Sequence, residues 1–334
     1  MAEWFTANST VDEILYNDRV CKKIGYFYPK VFADNIKAPF RKMKIKNILK
    51  LGKAAVKKPF HGEELIECAN IILERREKGS FVSIPVWKDK ENTENVVLIP
   101  FLLENKKGLP CVIICAGGGY GLVANCTEGV PVAKELNKLG YQVFLLNYRV
   151  APQRYPVPQL DFLRAVRFVR ANSEKLGVDP EAITAMGFSA GGHLIASALA
   201  MEDEIVDDTH RYDAISPKPN NLCFCYTLTT LVGDTHEKSV ANLLGDLPEF
   251  KQRERLSLEN MDLKMFPKTY LWACRDDQSV PAAHSELLYK CLKEAGVKSQ
   301  LKLYESGGHG CGLGSGTGAE GWLHGFVNFV NSFD

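Results

Sequence analysis

The stretch that decides the predicted fold is Ile183-Thr184-Ala185-Met186-Gly187-Phe188-Ser189-Ala190-Gly191-Gly192-His193. A mostly apolar run, Ile183 to Met186, leads into Gly187-Phe188-Ser189-Ala190-Gly191, and a helix-forming segment follows. A serine in this context sits on a strained strand-to-helix turn that exposes its hydroxyl, and the flanking glycines avoid steric collision there. The start of the following helix also favours negative charge that develops beside the serine. The stretch therefore predicts a nucleophilic Ser189.

The Gly-x-Ser-x-Gly string alone is also compatible with an ordinary glycine-rich turn between a strand and a helix. On both sides of it, however, short apolar runs alternate with helix-forming segments, and this rhythm predicts an α/β fold with a mainly parallel central sheet flanked by helices. The predicted strands are Cys111 to Cys115, Gln142 to Leu146, Ile183 to Gly187, Leu222 to Thr227, Thr269 to Cys274 and Gln300 to Tyr304. The predicted helices are Val130 to Leu139, Leu160 to Leu176, Ala190 to Met201, Ala282 to Ala295 and Gly318 to Phe333.

The first eighty residues lack this alternation. They carry two helix-like segments, Thr10 to Ile24 and Ile45 to Val56, and the first opens with a Thr-x-x-Glu capping pattern. From Phe81, two short β-branched runs joined by a charged turn predict an antiparallel hairpin, Phe81 to Trp87 with Val96 to Leu102. We therefore expect a helical N-terminal appendage over residues 1–80 and a catalytic domain over residues 81–334. The role of the appendage as a lid, a dimer contact or a folding aid stays open.

A serine hydroxyl needs a histidine base that is itself oriented by a carboxylate, in the chain order serine, acid, histidine. The strand Thr269 to Cys274 is followed by Asp276 and Asp277, and the end of a parallel strand is where such groups lie. The last predicted strand leads into Gly307-Gly308-His309-Gly310, which places His309 as the base. His193 and His284 are the competing histidines, but both fall within predicted helices. At this level either aspartate remains a candidate for the acid.

The oxyanion of a tetrahedral intermediate needs two or three preorganised N–H donors. The backbone N–H of Ala190 is the first, and Gly117-Gly118-Gly119-Tyr120 follows a predicted strand at the position where further donors are expected. We assign Gly118 and Gly119, since a backbone without side chains can approach the substrate closely. A dinucleotide or phosphate loop is the alternative, but neither Gly-x-Gly-x-x-Gly nor Gly-Lys-Ser/Thr occurs there.

Bulk composition narrows the class of partner. Lys plus Arg (41) and Asp plus Glu (40) nearly cancel, which gives no overall field for nucleic acid. The basic run from Lys37 to Lys58 holds nine Lys or Arg and no acid, and we interpret it as a solvated helical face.

No apolar stretch is long enough to predict a membrane span, and the first residues do not resemble a secretory signal. We therefore expect a cytoplasmic location. The ten cysteines are expected to be mostly buried free thiols, and no metal site is predicted.

These motifs together resemble the acetyl esterase and acetylxylan-esterase-like branch of the α/β-hydrolase fold. The resemblance spans most of the chain from about Phe81, and relatives often have His-Gly-Gly-Gly where this chain has Ala116-Gly117-Gly118-Gly119. In such families the Asp-x-x-Val-Pro aspartate completes the triad, which implies Asp277 here. The motifs that carry the resemblance are Ala116 to Tyr120, Asn147 to Pro152, Gly187 to His193, Asp277 to Pro281 and Gly307 to Gly310.

The resemblance implies a serine carboxylesterase that needs no cofactor and acts on short-chain esters, chiefly acetyl esters, of carbohydrates such as xylo-oligosaccharides. An amidase or peptidase with the same triad is one alternative, and a non-catalytic small-molecule binder on a hydrolase scaffold is another. Candidates for lining the substrate pocket are Tyr120, Phe188 and Cys311, together with the segment Gly233 to Phe266, which could instead be a simple crossover. Whether the chain forms a homo-oligomer stays open.

Overall fold

The computed structural model of the chain describes residues 4–56, 60–88 and 90–332. Lys57 and Lys58, at the end of the basic run, and Phe333, at the end of the last predicted helix, lie outside these residues. Within them, eight strands form one sheet. The strands are β1 Ile84–Pro85, β2 Val97–Phe101, β3 Leu109–Cys115, β4 Gln142–Asn147, β5 Val178–Phe188, β6 Asn221–Cys225, β7 Thr269–Cys274 and β8 Ser299–Tyr304.

The order of the strands across the sheet is β1-β2-β4-β3-β5-β6-β7-β8. From β4 to β8 every neighbouring pair is parallel, whereas β2 runs antiparallel to β4 and to β1. Strands β4 and β7 are buried over almost their whole length, as expected when helices cover both faces of a parallel sheet. The predicted α/β class, the parallel sheet and the antiparallel opening pair are confirmed, although β1 is only two residues long.

Helices cover both faces of this sheet. The α-helices of the described residues are α1 Val11–Leu15, α2 Cys21–Phe27, α3 Lys30–Asp34, α4 Ile45–Leu51, α5 Gly62–Glu77, α6 Val130–Lys138, α7 Val157–Ala171, α8 Ser173–Leu176, α9 Ala190–Ala200, α10 Glu237–Leu244, α11 Phe250–Arg255, α12 Ala283–Glu294 and α13 Trp322–Asn331. The capping box predicted for the first helix is confirmed, because Thr10 and Glu13 each accept a hydrogen bond from the backbone N–H of the other. None of these helices is both long enough and apolar enough to span a bilayer.

Several helical predictions differ from the structure. The helix predicted from Leu160 to Leu176 is divided at Asn172 into α7 and α8, and the helix predicted from Ile45 to Val56 ends at Leu51. The segment predicted as one helix from Thr10 to Ile24 is broken into α1 and α2, and the 16-residue helix α5 was not predicted at all. Its termini carried a usable signal, because Glu63 and Glu64 lie in its first turn and Arg75 and Arg76 in its last, where they complement the helix dipole. This charge placement was the local signal that could have identified α5, which the apolar pattern alone did not reveal.

Alternate side chains of β3 belong to different hydrophobic clusters on the two faces of the sheet. Cys111, Ile113 and Cys115 pack with α7 and α9 on one face, whereas Val112 and Ile114 share the other face with α6 and α13. The N-terminal helices belong to this second cluster, which joins their buried side chains to the sheet. The proposed division at residue 80 thus falls within a shared core.

The cysteines are free thiols. Seven of the ten are buried, among them Cys111, Cys115, Cys223 and Cys225, whose burial the apolar context had predicted. Cys21 is exposed, and Cys291 and Cys311 are partly exposed.

Candidate active site

Ser189 lies at the junction between β5 and α9, where the chain turns sharply. Its backbone has φ 51° and ψ −121°, a conformation that a side chain with a Cβ rarely adopts. The N–H of Ser189 donates to the carbonyl of Cys225 at 2.9 Å, which fixes the turn against the end of β6. Ser189 is 7% exposed, so the turn holds it in a mostly buried position. The sharp turn predicted from the sequence is confirmed.

Gly191, two residues after the serine, is required by close packing. A Cβ on Gly191 would lie 2.1 Å from the carbonyl oxygen of Cys115, at the end of the neighbouring strand β3. No side chain fits at that separation, so α9 can approach β3 only with glycine here. The turn therefore holds Ser189 beside the glycine loop that follows β3.

Ser189, His309 and Asp277 form a continuous hydrogen-bonded chain. The Nε2 atom of His309 lies 2.8 Å from the Oγ of Ser189, and its Nδ1 atom lies 2.7 Å from the Oδ2 of Asp277. Because a carboxylate only accepts, Nδ1 carries the proton and Nε2 is free to accept from the serine hydroxyl. The other oxygen of Asp277 accepts from the backbone N–H groups of Ser279 and Val280 at 2.8 and 2.9 Å. The structure thus brings the three predicted residues together in the predicted order.

The competing acid, Asp276, contacts a different part of the same loop. Its carboxylate accepts from the backbone N–H of Gly308 at 2.8 Å and of Gly307 at 3.2 Å. These hydrogen bonds, chiefly the one from Gly308, hold the pKa of Asp276 below its ordinary value. Asp276 therefore anchors the backbone that leads to His309, a role that the sequence did not reveal.

The glycine loop after β3 lies beside Ser189. The N–H of Gly121 and that of Leu122 both donate to the carbonyl of Gly118, which curls the loop. No group within the described residues accepts from the N–H of Gly118, of Gly119 or of Ala190. Three donors predicted for an oxyanion are thus available for a ligand, whereas the N–H of Gly117 is occupied by the buried side chain of Glu128 at 2.6 Å.

Two of the three pocket candidates are fully buried. The Tyr120 hydroxyl is hydrogen-bonded to Nδ1 of His193 at 2.8 Å, and the Phe188 ring packs against Trp322. Cys311 is partly exposed on the loop just after His309. Tyr120 and Phe188 can thus affect a ligand through the backbone segments that they support, and the part of all three in substrate binding stays a prediction.

The segment Gly233 to Phe266 contacts the glycine loop directly through α10. The side-chain amide of Asn242 donates to the carbonyl of Gly119 at 2.8 Å, and the imidazole of His236 would lie 3.4 Å from a Cβ at Gly119. His236 is half-buried, and burial followed by the nearby His309 lowers its pKa. This part of the segment thus forms a wall beside the glycine loop, although neither Asn242 nor His236 was singled out from the sequence.

The two histidines that competed with His309 are buried and structural in their contacts. The Nε2 of His193 bonds to the carbonyl of Leu256 at 2.8 Å, and burial lowers the pKa of His193 to about 4. His284 receives a hydrogen bond from the N–H of Thr229 at 3.0 Å, and burial lowers its pKa as well. Both side chains are therefore neutral at pH 7 and tie α9 and α12 to the loops that surround the site.

This geometry agrees with the comparison to known families. The model of the BD-FAE family, a family of α/β-hydrolase esterases, matches residues 100–292, which include Ser189, the glycine loop and Asp277. The chain belongs to the BD-FAE family. His309 lies beyond the matched region, so its assignment rests on the hydrogen bonds described above.

Two bacterial proteins are among the relatives of this chain. The endo-1,4-beta-xylanase B of Butyrivibrio fibrisolvens is 30% identical over 219 residues, which is 64% of this chain and 34% of that protein. The acetylxylan esterase of Xylanibacter ruminicola is 29% identical over 223 residues, or 65% of this chain and 44% of that protein. The chain thus matches less than half the length of these two relatives.

One solved structure matches this chain over nearly the whole length of that structure. The acetyl ester-xyloside bifunctional hydrolase from Caldicellulosiruptor lactoaceticus is 36% identical, with a TM-score of 0.64. The match covers 73% of this chain and 96% of that one. A truncated carbohydrate esterase from gut microbiota, at 21% identity and a TM-score of 0.60, shares the fold. The α/β-hydrolase fold is thereby established for this chain.

Proposed function

We propose that this protein is a serine carboxylesterase that removes short acyl groups, chiefly acetyl, from carbohydrates such as xylo-oligosaccharides. The single observation that carries the proposal is the hydrogen-bonded chain from the Ser189 hydroxyl through His309 to Asp277. A serine alcohol is a weak nucleophile, and an imidazole within hydrogen-bond reach can remove its proton as the hydroxyl attacks. Membership of an esterase family supports an ester as the group attacked.

In the first half of the proposed reaction, the Ser189 oxygen attacks the ester carbonyl carbon while Nε2 of His309 takes the hydroxyl proton. Asp277 orients the ring and stabilises the imidazolium without taking the proton itself. The C–O bond to the alcohol then breaks, and the imidazolium returns its proton to the departing sugar oxygen. An acyl group remains bound to Ser189.

In the second half, a water molecule attacks the acyl carbon and gives its proton to His309. The bond to Ser189 breaks, the serine recovers its proton, and the carboxylic acid leaves. In both tetrahedral intermediates the negative oxygen is held by the N–H groups of Gly118, Gly119 and Ala190. Losing one such donor typically costs about 100- to 1,000-fold in kcat, so these three groups carry a large share of the proposed rate.

The preference for acetylated carbohydrates is drawn from the relatives. One is named an acetylxylan esterase, and the solved neighbour at 36% identity is titled an acetyl ester-xyloside hydrolase. A small acyl group and a sugar alcohol are therefore the substrate parts that we propose. The wall formed by His236 and Asn242 beside the glycine loop is our candidate for contact with the substrate.

The test is hydrolysis of p-nitrophenyl esters from acetyl to octanoyl, with release of acetate from acetylated xylo-oligosaccharides measured in parallel. We expect the acetyl ester to be cleaved fastest, acetate to be released from the oligosaccharides, and Ser189→Ala to abolish both. Turnover retained in Ser189→Ala would exclude the proposed nucleophile. If no ester is cleaved but aryl amides are, the same three residues would instead serve an amidase, and no turnover of either would favour a binding protein.

A further inference from the structure

Glu128 is a buried acidic residue close to the site that has no part in the reaction described above. It lies on a single π-helical turn, Asn125–Gly129, between the glycine loop and α6, and its side chain is 3% exposed. Turns of this kind are rare, and many occur at functional sites. A carboxylate at this depth is costly unless it is well hydrogen-bonded, so its contacts identify what it stabilises.

One carboxylate oxygen of Glu128 holds the glycine loop. Oε2 accepts from the N–H of Gly117 at 2.6 Å. A Cβ on Gly117 would lie 3.0 Å from this oxygen and 2.9 Å from the Cβ of Ser189. Glu128 therefore lies directly behind the point where the glycine loop passes the serine, and its hydrogen bond orients the peptide that precedes Gly118 and Gly119.

The other oxygen reaches the loop that carries His309. Oε1 accepts from the hydroxyl of Tyr226 at 2.9 Å, and the Tyr226 oxygen accepts from the N–H of Gly312 at 3.2 Å. The rings of Tyr226 and His309 also contact each other in an edge-to-face arrangement, with 5.0 Å between the centroids. Through Tyr226, the same carboxylate thus fixes both the histidine loop and one side of the imidazole.

The charge of Glu128 also faces His309. Burial raises the pKa of Glu128, and the hydrogen bonds from Gly117 and Tyr226, together with a protonated His309, favour the carboxylate. Asp277, His236 and Tyr226 are further charged or titratable groups near the imidazole. The remaining titratable neighbours of Glu128 are thiols and phenols whose pKa burial raises, which keeps them neutral: Cys126, Tyr148, Cys225, Tyr226 and Cys311.

We propose that Glu128 is a positioning residue of this site. Its carboxylate holds the glycine loop and the His309 loop at a fixed separation around Ser189, and its negative charge stabilises the imidazolium that forms during catalysis. This inference rests on the proposed esterase function. It also explains why an acid is retained where burial alone would disfavour one.

The test compares Glu128→Gln with wild type. Glutamine keeps the shape of the side chain and can accept from Gly117, but it lacks the charge and cannot accept from Tyr226 through its NH₂ group. We expect kcat for p-nitrophenyl acetate to fall at least about tenfold with KM little changed, since small displacements of catalytic groups cost rate more than binding. The acid limb of the pH–rate profile should move to lower pH, because the anion that favours the protonated imidazole is gone. Glu135→Gln, on the exposed side of α6, is the matched control and should behave as wild type.

The outcomes separate this inference from the proposed function. Wild-type kcat and an unchanged acid limb in Glu128→Gln, with Ser189→Ala inactive, would overturn the role of Glu128 and leave the esterase proposal intact. An inactive wild type would instead count against the esterase proposal. If Glu128→Gln does not fold, Tyr226→Phe supplies the test, because it removes only the hydroxyl between Glu128 and Gly312. A drop in kcat with unchanged KM in that variant supports the inference, and wild-type kcat overturns it.

Discussion

The carboxylates of Asp276 and Asp277 are adjacent in the chain but hold different parts of the loop that carries His309. Asp277 bonds to the imidazole itself at 2.7 Å, whereas Asp276 accepts from the backbone N–H groups of Gly307 and Gly308. One acid therefore orients the ring and the other orients the chain that presents it. The contacts agree with the family resemblance, which had favoured Asp277 over Asp276 as the acid.

The two aspartates should differ sharply when each is replaced by asparagine. We expect Asp277→Asn to lower kcat by about 1,000- to 10,000-fold, because loss of this charge leaves the histidine in the wrong tautomer. Asp276→Asn keeps an oxygen that can accept from Gly308, so we expect kcat to stay within about tenfold of wild type. Steady-state kinetics on p-nitrophenyl acetate would measure both. Comparable losses in the two variants, or a larger loss in Asp276→Asn, would contradict the assignment of Asp277 as the triad acid.

Asn242 should affect catalysis through the glycine loop. Its amide donates to the carbonyl of Gly119 at 2.8 Å, and a hydrogen bond of this kind is worth about 1 kcal/mol. We expect Asn242→Ala to lower kcat/KM by about fivefold to tenfold, because the N–H groups proposed for the oxyanion would be less well ordered.

A matched control for this variant lies in the same segment. Asn260 donates from its side chain to the carbonyl of Glu254 at 2.9 Å, and among the described residues this side chain makes no hydrogen bond to the glycine loop. Asn260→Ala therefore removes an equivalent hydrogen bond without touching the site. Equal kinetic losses in the two variants would show that the effect comes from the segment's stability rather than from the Gly119 contact.

The buried His193 should make stability depend on pH. Burial lowers its pKa from 6.5 to about 4, so the unfolded chain takes up a proton at higher pH than the folded chain does. The stability from this residue is fully present above about pH 6.5 and is lost as the pH falls toward 4, by up to about 3 kcal/mol in total. We expect the free energy of unfolding in urea to decrease between pH 7 and pH 5, and the decrease to be smaller in His193→Gln.

A control for His193→Gln should replace a histidine that is not buried. His210 is exposed and pairs with Asp213 at 2.8 Å, so His210→Gln removes a histidine without altering the core. This control should keep the pH dependence of wild type. His284, whose pKa is also lowered by burial, adds to the slope in the same direction and remains in both variants. An identical slope in wild type and His193→Gln would rule out His193 as a source of the pH dependence.

The N-terminal helices should be needed for folding of the rest. The side-chain amide of Asn125, on the π-helical turn, donates to the carbonyl of Tyr26 at 2.9 Å, and Arg75 lies over the ring of Phe101 at 4.6 Å. A chain of residues 81–334 would expose the part of the second cluster that packs against the N-terminal helices. Burial of apolar surface contributes about 25 cal/mol per Å², and domains are stable by only ~5–15 kcal/mol, so this loss should be strongly destabilising. We expect this fragment to bind a hydrophobic dye and to lack a cooperative thermal transition. Full-length stability in the fragment would instead show a separable appendage.

Local pattern in the sequence was enough for the parallel sheet, the turn at Ser189 and the order of the three site residues. The predicted bounds of strand β7 match the structure at both ends. Its short apolar run is bounded by polar segments, which favours a buried strand in an α/β fold. The glycines around Ser189 were also informative, because the close backbone packing there admits no other residue. Helix α5, by contrast, has a weak apolar pattern and was not predicted.

The sequence by itself therefore determined the fold class and named Ser189 and His309, because these depend on local periodicity and on chain order, and it favoured Asp277 over Asp276 only through the family resemblance. Only the tertiary structure showed the contact between Asp277 and the imidazole, and it alone revealed the contacts of Glu128, Tyr226 and Asn242 with the site loops. Such contacts join residues far apart in the chain, 98 positions apart for Glu128 and Tyr226. No spacing rule encodes them, since they arise from the packing of the sheet, the π-helical turn and the loops around one another.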